Sequence, residues 1–260
     1  MNLLVFVKRV PDTESKIRVG PDGRSVAEDG LNFVISPYDE YAMEEALRLR
    51  EAKGGKVTAV TVGVETSLVI LRKCLAMGAD EAVLVKDPLP ETYDGLRAAR
   101  IIAKLVTARF PDFDLLLFGK QAVGDDNSQV PSMTAELLGI AQANVIVKLE
   151  VEGGRATAWR EVEGGQEKIS LILPAVVSAQ KGLNEPRYET LKGIMMAKKK
   201  PVPEISLDEL GISGDEAAPS VTVIRVEPPP ARAAGRVVTG PPEDLARQIA
   251  AFLHSDAKVI

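Results

Sequence analysis

One polar segment of this sequence has the residue types and the spacing to hold a phosphate group. The segment GKQAVGDDNSQVPSM, residues 119–133, follows the apolar run FDLLLF. This pattern is typical of a loop that leaves a buried strand and enters a helix, whose first N–H groups attract anions. Gly119 and Gly124 permit close approach of the backbone. Short neutral hydrogen-bonding groups follow at Asn127, Ser128 and Gln129. The segment favours a nucleotide site over an ordinary polar helix cap.

The charges of this loop are unusual for a phosphate site, because Asp125 and Asp126 accompany a single lysine, Lys120. No Walker A lysine motif is present, and no GxGxxG follows the first predicted strand. Carboxylates cannot face a phosphate unshielded, so we expect them to accept hydrogen bonds from an adenine amino group, a ribose hydroxyl or the loop's own amides. Asp126 is predicted to be such an acceptor or a loop-shaping residue, not a catalytic base.

The rarest residues exclude several kinds of chemistry. The sequence has one cysteine, Cys74, and one histidine, His254. An intrachain disulfide, a thiolate metal cage, a two-histidine metal site and a histidine-based triad therefore cannot be built within it. Helical spacing around Cys74 predicts a packed core thiol, and His254 is predicted to have a structural or surface role. No metal site is expected. Because few residues remain for nucleophilic or acid–base chemistry, a binder or carrier is favoured over an enzyme.

Composition limits the partners and the compartment. The chain has 260 residues, 45% of them hydrophobic, and a formal net charge of −5, which argues against a basic nucleic-acid surface. Its first apolar run precedes Lys8 and Arg9, the reverse of a signal peptide. No apolar run approaches the ~20 residues of a membrane span. We expect a cytoplasmic protein with no nucleic-acid partner and no direct membrane insertion.

Alternating strand and helix patterns position the loop. Strands are predicted at 3–7, 56–63, 81–86 and 113–119, and helices at 36–55, 65–80 and 92–110. Strands separated by helices of this length form a parallel sheet through right-handed crossovers. Ser36 can cap the first helix, Pro37 suits its first position, and Asp39 lies three residues after the cap. The fold class is therefore α/β, with a mostly parallel, doubly wound sheet.

The pattern changes twice in the second half. After residue 140, alternating apolar residues with two Glu-Gly-Gly turns predict antiparallel strands joined by hairpins. From Pro201 the chain is rich in proline and acidic residues, with one isolated strand at 221–226 and a last amphipathic helix at 241–254. We therefore predict a domain over 1–200 and an extended C-terminal arm over 201–260. The arm has too little apolar surface to fold alone and must lie on this domain or on another chain.

Three blocks of the sequence resemble the beta subunit of the electron-transfer flavoproteins. They are VKRVPD, GKQAVGDDNSQV and LPAVVSAQKGLNEPRYETLKGIMMAKKKP. The resemblance runs from about residue 3 to 255 and implies a fold of the adenine-nucleotide hydrolase-like kind. It also implies an obligate heterodimer with an alpha subunit that holds most of the FAD, on which the arm would pack. The implied protein carries electrons and is not an enzyme.

The resemblance also implies that AMP is bound as a structural ligand. The contacts fall on four segments at one sheet edge: Phe6; Ser36, Pro37, Tyr38 and Asp39; Val62; and Gly119, Lys120, Gln121, Ala122, Val123, Gly124, Asp125, Asp126, Asn127, Ser128, Gln129 and Val130. Tyr38 matches an aromatic position that lies beside the flavin in this family. A second aromatic is expected near residue 13, where this sequence has Thr13.

A methionine-rich stretch near residue 195 has two interpretations. It is either a short core helix with terminal lysines or an adaptable docking surface, since methionines repack against different partners. The resemblance implies the second, a recognition loop over 183–200 that includes Leu191, Ile194 and Met195, with Leu191 as the anchor and Lys198–Lys200 beside it. The implied partners are acyl-CoA and related dehydrogenases, and a quinone-linked oxidoreductase as acceptor.

Three alternatives stay open at this point. A bifurcating relative would hold a second FAD in place of AMP, although its loop departs from DDNSQV. A stand-alone adenine-nucleotide sensor would form a homodimer and would have no use for a Pro-rich arm. An ATP-consuming pyrophosphatase would need a Ser-Gly-Gly loop after the first strand, where this sequence has VKRVPD.

Overall fold

A large, mostly parallel sheet organises the first of the two units into which the chain divides, Met1–Val226 and Glu227–Ile260. The structure is a computed structural model and describes residues 1–89, 94–231, 235 and 237–260. The strands are β1 (Asn2–Phe6), β2 (Arg9–Pro11), β3 (Phe33–Ile35), β4 (Lys56–Gly63), β5 (Glu81–Lys86), β6 (Leu115–Gly119), β7 (Ala141–Glu152), β8 (Arg155–Val162), β9 (Gly165–Ile172), β10 (Ala175–Ala179) and β11 (Glu204–Ser206). The helices are α1 (Pro37–Lys53), α2 (Leu68–Met77), α3 (Gly95–Arg109), α4 (Val130–Leu138), α5 (Leu191–Ala197) and α6 (Pro242–Ala251).

The strand order confirms the predicted fold class. Over the described residues the main sheet runs β11-β5-β4-β1-β6-β10-β7-β8-β9, and β2 pairs separately with β3. Neighbours from β11 to β7 are parallel, whereas β7, β8 and β9 form the predicted antiparallel hairpins. The chain builds outward from β1 through β4 to β5 and then crosses to β6 on the other side of β1. Such a reversal opens a crevice at the carboxyl ends of the strands.

Side chains alternate between two cores on the two faces of the sheet. In β1, Leu3 and Val5 belong to the core under α1 and α2, while Leu4 and Phe6 belong to the core under α3 and α4. Both faces are therefore covered by helices, as a parallel sheet requires. Cys74 is completely buried in the first of these cores, and burial raises the pKa of its thiol. The prediction of a packed core cysteine is confirmed.

Local signals located most elements but not all of their ends. The predicted helix at 65–80 is a 3₁₀ turn, Glu65–Ser67, followed by α2, and the strand predicted at 113–119 begins at Leu115. The predicted start of the third helix, at residue 92, lies outside the described residues, and α3 begins at Gly95. The strand predicted at 221–226 is wrong, because that segment has no regular structure. Its Ile224 side chain is 83% exposed, so there is no covered sheet face to favour pairing.

The beginning of the predicted arm lies within the first unit. Strand β11 pairs in parallel with β5 at the sheet edge, and Leu210 and Ile212 are buried in the core under α3. The second unit, Glu227–Ile260, contains α6 and a π-helical turn, Phe252–Asp256. None of the residues of α6 is buried. Among the described residues, no helix combines the length and the apolar character needed to cross a membrane.

Candidate functional site

A crevice opens at the carboxyl ends of β1, β4 and β6, where the strand order reverses. It encloses about 980 Å³ of space, including the part open to solvent. Its floor is apolar: the rings of Phe6 and Phe118 stack with centroids 4.6 Å apart and planes 12° from parallel. These two residues are register partners on adjacent strands. An apolar floor under a polar rim suits a flat heterocycle attached to polar groups.

The loop between β6 and α4 forms the polar rim and bonds to itself. Gln121 Nε2 donates to Asp126 Oδ1 at 2.5 Å, and Ser128 Oγ donates to Gln121 Oε1 at 2.9 Å. Gly124, Asp126 and Ser128 all have positive φ, at 101°, 51° and 52°. Glycine and aspartate tolerate this conformation better than most residues. Asp126 thus shapes the loop, in agreement with its predicted role.

The second carboxylate of the loop is paired across the crevice. Asp125 forms an ion pair with the ammonium group of Lys8, which follows β1. The Asp125 side chain is 15% exposed and that of Lys8 is 45% exposed. The loop is thereby tied to the end of the central strand. This contact gives the Asp125 carboxylate, next to Asp126 in the loop, a cationic partner.

The carboxylate of Asp39 connects the ends of β1 and β6. Its two oxygens accept hydrogen bonds from Lys8 N at 2.8 Å and Gly119 N at 2.9 Å. Burial raises the pKa of Asp39 to about 7, against the opposing effect of these two N–H groups and of the Lys8 charge. Gly119 is required at this point, because a Cβ there would lie 2.6 Å from the Tyr38 carbonyl carbon and 2.7 Å from Asp39 N.

The predicted cap of α1 by the Ser36 side chain does not form, although Ser36 does occupy the N-cap position. The Ser36 side chain makes no capping bond. Its hydroxyl instead lies 3.4 Å from both Gln121 O and Val123 N. Asp39 likewise turns to Lys8 and Gly119 rather than back to the helix start. Contacts with the distant loop have replaced the local cap.

Most of the residues predicted for the nucleotide site line this one crevice. They are Phe6, Asp39, Val62, Gly119, Lys120, Gln121, Ala122, Asp125, Asn127, Ser128, Gln129 and Val130. Six others lie outside the lining: Ser36, Pro37, Tyr38, Val123, Gly124 and Asp126. Ser36 holds the loop from behind, and the Tyr38 ring lies 4.8 Å from the Lys120 ammonium. These residues support the loop or flank it.

Sequence reasoning missed part of the lining. Arg97 and Asp87 form a buried ion pair at the back of the crevice, and Arg97 Nε donates to Ala217 O at 2.5 Å. Asp94 caps α3 by accepting from Arg97 N at 3.0 Å, and it also accepts from Ser220 N at 2.5 Å. The available signals were an aspartate directly after the β5 run and another among the first residues of the predicted third helix. Neither signal reveals a tertiary partner.

The predicted recognition loop is a separate surface centred on α5. Leu191 and Met195 are 83% and 68% exposed, whereas Ile194 packs against the core under α2. Leu191 and Met195 therefore point outward and Ile194 inward. Lys200 is committed to the fold, since its ammonium donates to Ala79 O at 2.8 Å and Asp80 O at 3.1 Å. Lys198 and Lys199 are exposed beside the apolar side chains.

Fold and crevice together define an α/β protein with an open crevice at the switch point of a parallel sheet. Comparison with known families narrows this class. A model of the electron transfer flavoprotein domain matches residues 24–210. The chain is 44% identical to the Electron transfer flavoprotein subunit beta of Bacillus subtilis, over 100% of both chains. It is 38% identical to that of Syntrophomonas wolfei, over 100% of this chain and 98% of the relative, and 43% identical to that of Homo sapiens, over 90% and 91%. The chain belongs to the electron transfer flavoprotein family, among its beta subunits.

Proposed function

We propose that this chain is one half of a heterodimeric electron carrier. It binds AMP as a structural ligand in the crevice, supports an FAD held mainly by an alpha subunit, and docks dehydrogenases that supply electrons. The electrons pass on to a quinone-linked oxidoreductase, and the carrier itself is cytoplasmic. In this role the chain's own residues bind and orient, and they break no bond.

The observation that carries this proposal is that one crevice combines an aromatic floor with a loop whose side chains hydrogen-bond to one another. Phe6 and Phe118 line the crevice and are 5% and 4% exposed, so they form a packed apolar floor beneath the space proposed for a purine. Helix α4 begins at Val130, directly after the loop, so its first N–H groups can receive a phosphate. Carboxylates that face the crevice are already engaged: Asp125 with Lys8, Asp39 with backbone N–H groups, and Asp87 with Arg97.

The residues around Tyr38 fit a role beside the flavin of the alpha subunit. Tyr38 stands at the start of α1, with the Lys120 ammonium 4.8 Å from its ring. An aromatic ring next to a cation can pack against a flat conjugated ligand and influence its charge. FAD, when bound, accepts and releases the electrons. Tyr38 and Lys120 would exclude water from one side of it.

Docking is supported by the exposed apolar side chains of α5. Leu191 and Met195 are mostly exposed on a helix whose other face is packed. Transient redox encounters bury small interfaces, often below ~1,200 Å², so one apolar anchor can dominate the binding energy. Lys198 and Lys199 beside it favour a partner with an acidic patch.

The experiment is cofactor analysis of the heterodimer, produced by co-expression with an alpha subunit. Released ligands would be separated by chromatography, and flavin would be counted from absorbance at 450 nm. One AMP and one FAD per heterodimer are expected. Two FAD molecules and no AMP would establish the bifurcating alternative, and a stable homodimer without flavin would establish the stand-alone sensor.

A further inference from the structure

Arginine side chains bind both ends of the segment that carries the exposed side chains of α5. Resting on the docking role proposed above, we infer that Arg187 and Arg72 are positioning residues, which fix residues 188–197 in the conformation that a dehydrogenase binds. This segment, here called the docking segment, carries Leu191 and Met195. Neither arginine is assigned to partner contact, because each acts through the backbone or carboxylates of its own chain.

Arg187 fastens the start of the docking segment to α1. Its backbone N and its Nε donate to Glu44 Oε2 at 3.1 and 2.7 Å, and its Nη2 donates to Glu44 Oε1 at 3.0 Å. Its Nη1 and Nη2 also reach the two oxygens of Glu51, at 2.5 and 3.1 Å. The Glu44 side chain is 6% exposed, so this is a largely desolvated bidentate contact. Such contacts fix geometry as well as adding binding energy.

Asn184 strengthens the same attachment from the preceding turn. Its Nδ2 donates to Tyr41 O at 3.0 Å and to Glu45 Oε2 at 2.9 Å, both on α1. The segment that leads into the docking segment is thus bonded to successive turns of one helix. Tyr188, directly after Arg187, is 94% exposed. The attachment therefore ends where the exposed surface begins.

Arg72 fastens the other end to α2. Its Nη1 donates to Ala197 O at 2.6 Å and to Lys200 O at 2.5 Å. These carbonyls lie at and just after the end of α5, where a helix leaves its last C=O groups without internal partners. A cation also suits this end of the helix dipole. Arg72 therefore satisfies the terminal carbonyls and holds the end of α5 against α2.

Close packing between α5 and α2 fixes the position of α5 on the domain. A Cβ on Gly193 would overlap the backbone carbonyl oxygen of Ala76 on α2. Ala197 is 2% exposed in the same contact. The inward residues Gly193, Ile194 and Ala197 follow helical spacing, which leaves Leu191 and Met195 facing outward. A docking segment ordered before binding loses less conformational entropy when a partner binds.

The test measures electron transfer from an acyl-CoA dehydrogenase to the complete heterodimer, with Arg187→Met and Arg72→Met. We expect the KM for the heterodimer to rise about fivefold or more while kcat stays within about twofold, because only the docking geometry changes. Flavin content should stay at the wild-type value. Amide hydrogen exchange over residues 188–197 should become faster. Arg187→Lys should raise KM less than Arg187→Met does, because lysine keeps one charged contact.

Two reference variants separate this inference from the docking proposal. Arg100→Met removes an exposed arginine from α3, on the opposite face of the sheet, and should leave KM and exchange unchanged. Leu191→Ala should raise KM by itself. If Leu191→Ala has no effect, the docking proposal fails and this inference fails with it. If Leu191→Ala raises KM but both arginine variants keep wild-type KM and exchange, docking stands and the positioning role is wrong.

Milder variants decide the matter if an Arg→Met protein fails to assemble. Glu51→Gln loosens the half-exposed side of the Arg187 contact and leaves Glu44 in place. Arg72→Lys keeps a cation near the end of α5. A raised KM with faster exchange over residues 188–197 in either variant supports the positioning role. Wild-type KM and wild-type exchange in both variants would contradict it.

Discussion

At the scale of single residues, the crevice depends on groups that join the ends of β1 and β6. The Asp39 carboxylate accepts one N–H group from each side, at Lys8 and Gly119. Two satisfied hydrogen bonds do not offset the loss of water around a fully buried charge, and burial raises the pKa of Asp39 to about 7. The folded state therefore binds a proton on Asp39 in a pH range where the unfolded chain has lost it.

This difference predicts a pH dependence of stability. Because the folded pKa lies above the unfolded value, the stability contributed by Asp39 is fully present below the unfolded pKa, decreases as the pH rises, and is lost above about 7. Between pH 6 and pH 8 the free energy of unfolding should fall by about 1 kcal/mol from this group. Asp39→Asn should remove that part of the slope in urea unfolding. Asp112→Asn, at an exposed site, should keep it; equal slopes in wild type and Asp39→Asn would contradict the assignment.

Gly119 gives a second prediction at this scale, since it leaves no room for a side chain. A Cβ would meet backbone atoms of Tyr38 and Asp39 at 2.6 and 2.7 Å, which cannot move without shifting α1. Gly119→Ala should cost about 1–3 kcal/mol and lower the AMP content of the purified heterodimer. Gly165→Ala is the control, because nothing lies within 4 Å of its Cβ position. Normal AMP content and melting temperature in Gly119→Ala would show that the close approach is not required.

At the scale of elements, the sequence predicted what local patterns determine. The strand-helix alternation, the two Glu-Gly-Gly hairpins and the loop after β6 all follow from short-range periodicity and turn residues. Contacts between distant segments determined the features that local patterns did not predict. Ser36 bonds to the loop instead of its helix, and Asp87 pairs with Arg97. The apolar run at 221–226 has strand composition but no partner strand, so it has no regular structure and joins no sheet.

Helix α5 gives a prediction that separates its two faces. Leu191 is 83% exposed, while Ile194 packs against the core. Leu191→Ala should leave the melting temperature unchanged but slow flavin reduction by a dehydrogenase at low heterodimer concentration. Ile194→Ala should instead cost about 0.5–2 kcal/mol of stability, because it removes part of a packed contact. Loss of flavin in Leu191→Ala would mean that this residue is structural.

At the scale of the whole molecule, the two units differ in how they are stabilised. The first unit, Met1–Val226, buries both faces of a large sheet. In the second unit, Glu227–Ile260, none of the residues of α6 is buried, and Ile249 and Phe252 are each 49% exposed. A helix with an uncovered apolar side and little surrounding core gains too little from burial to be stable alone. The alpha subunit is the partner that we propose to cover it.

Removal of the second unit tests this arrangement. A chain ending at Val226 should keep the sheet and its crevice, because β11, Leu210 and Ile212 lie before the cut. It should dissociate from the alpha subunit at concentrations where the full heterodimer stays intact, since the apolar side of α6 no longer contributes to the interface. Sedimentation over a range of concentrations would measure this, with circular dichroism as the control for folding. Association as tight as that of the full chain would place the interface entirely on the first unit.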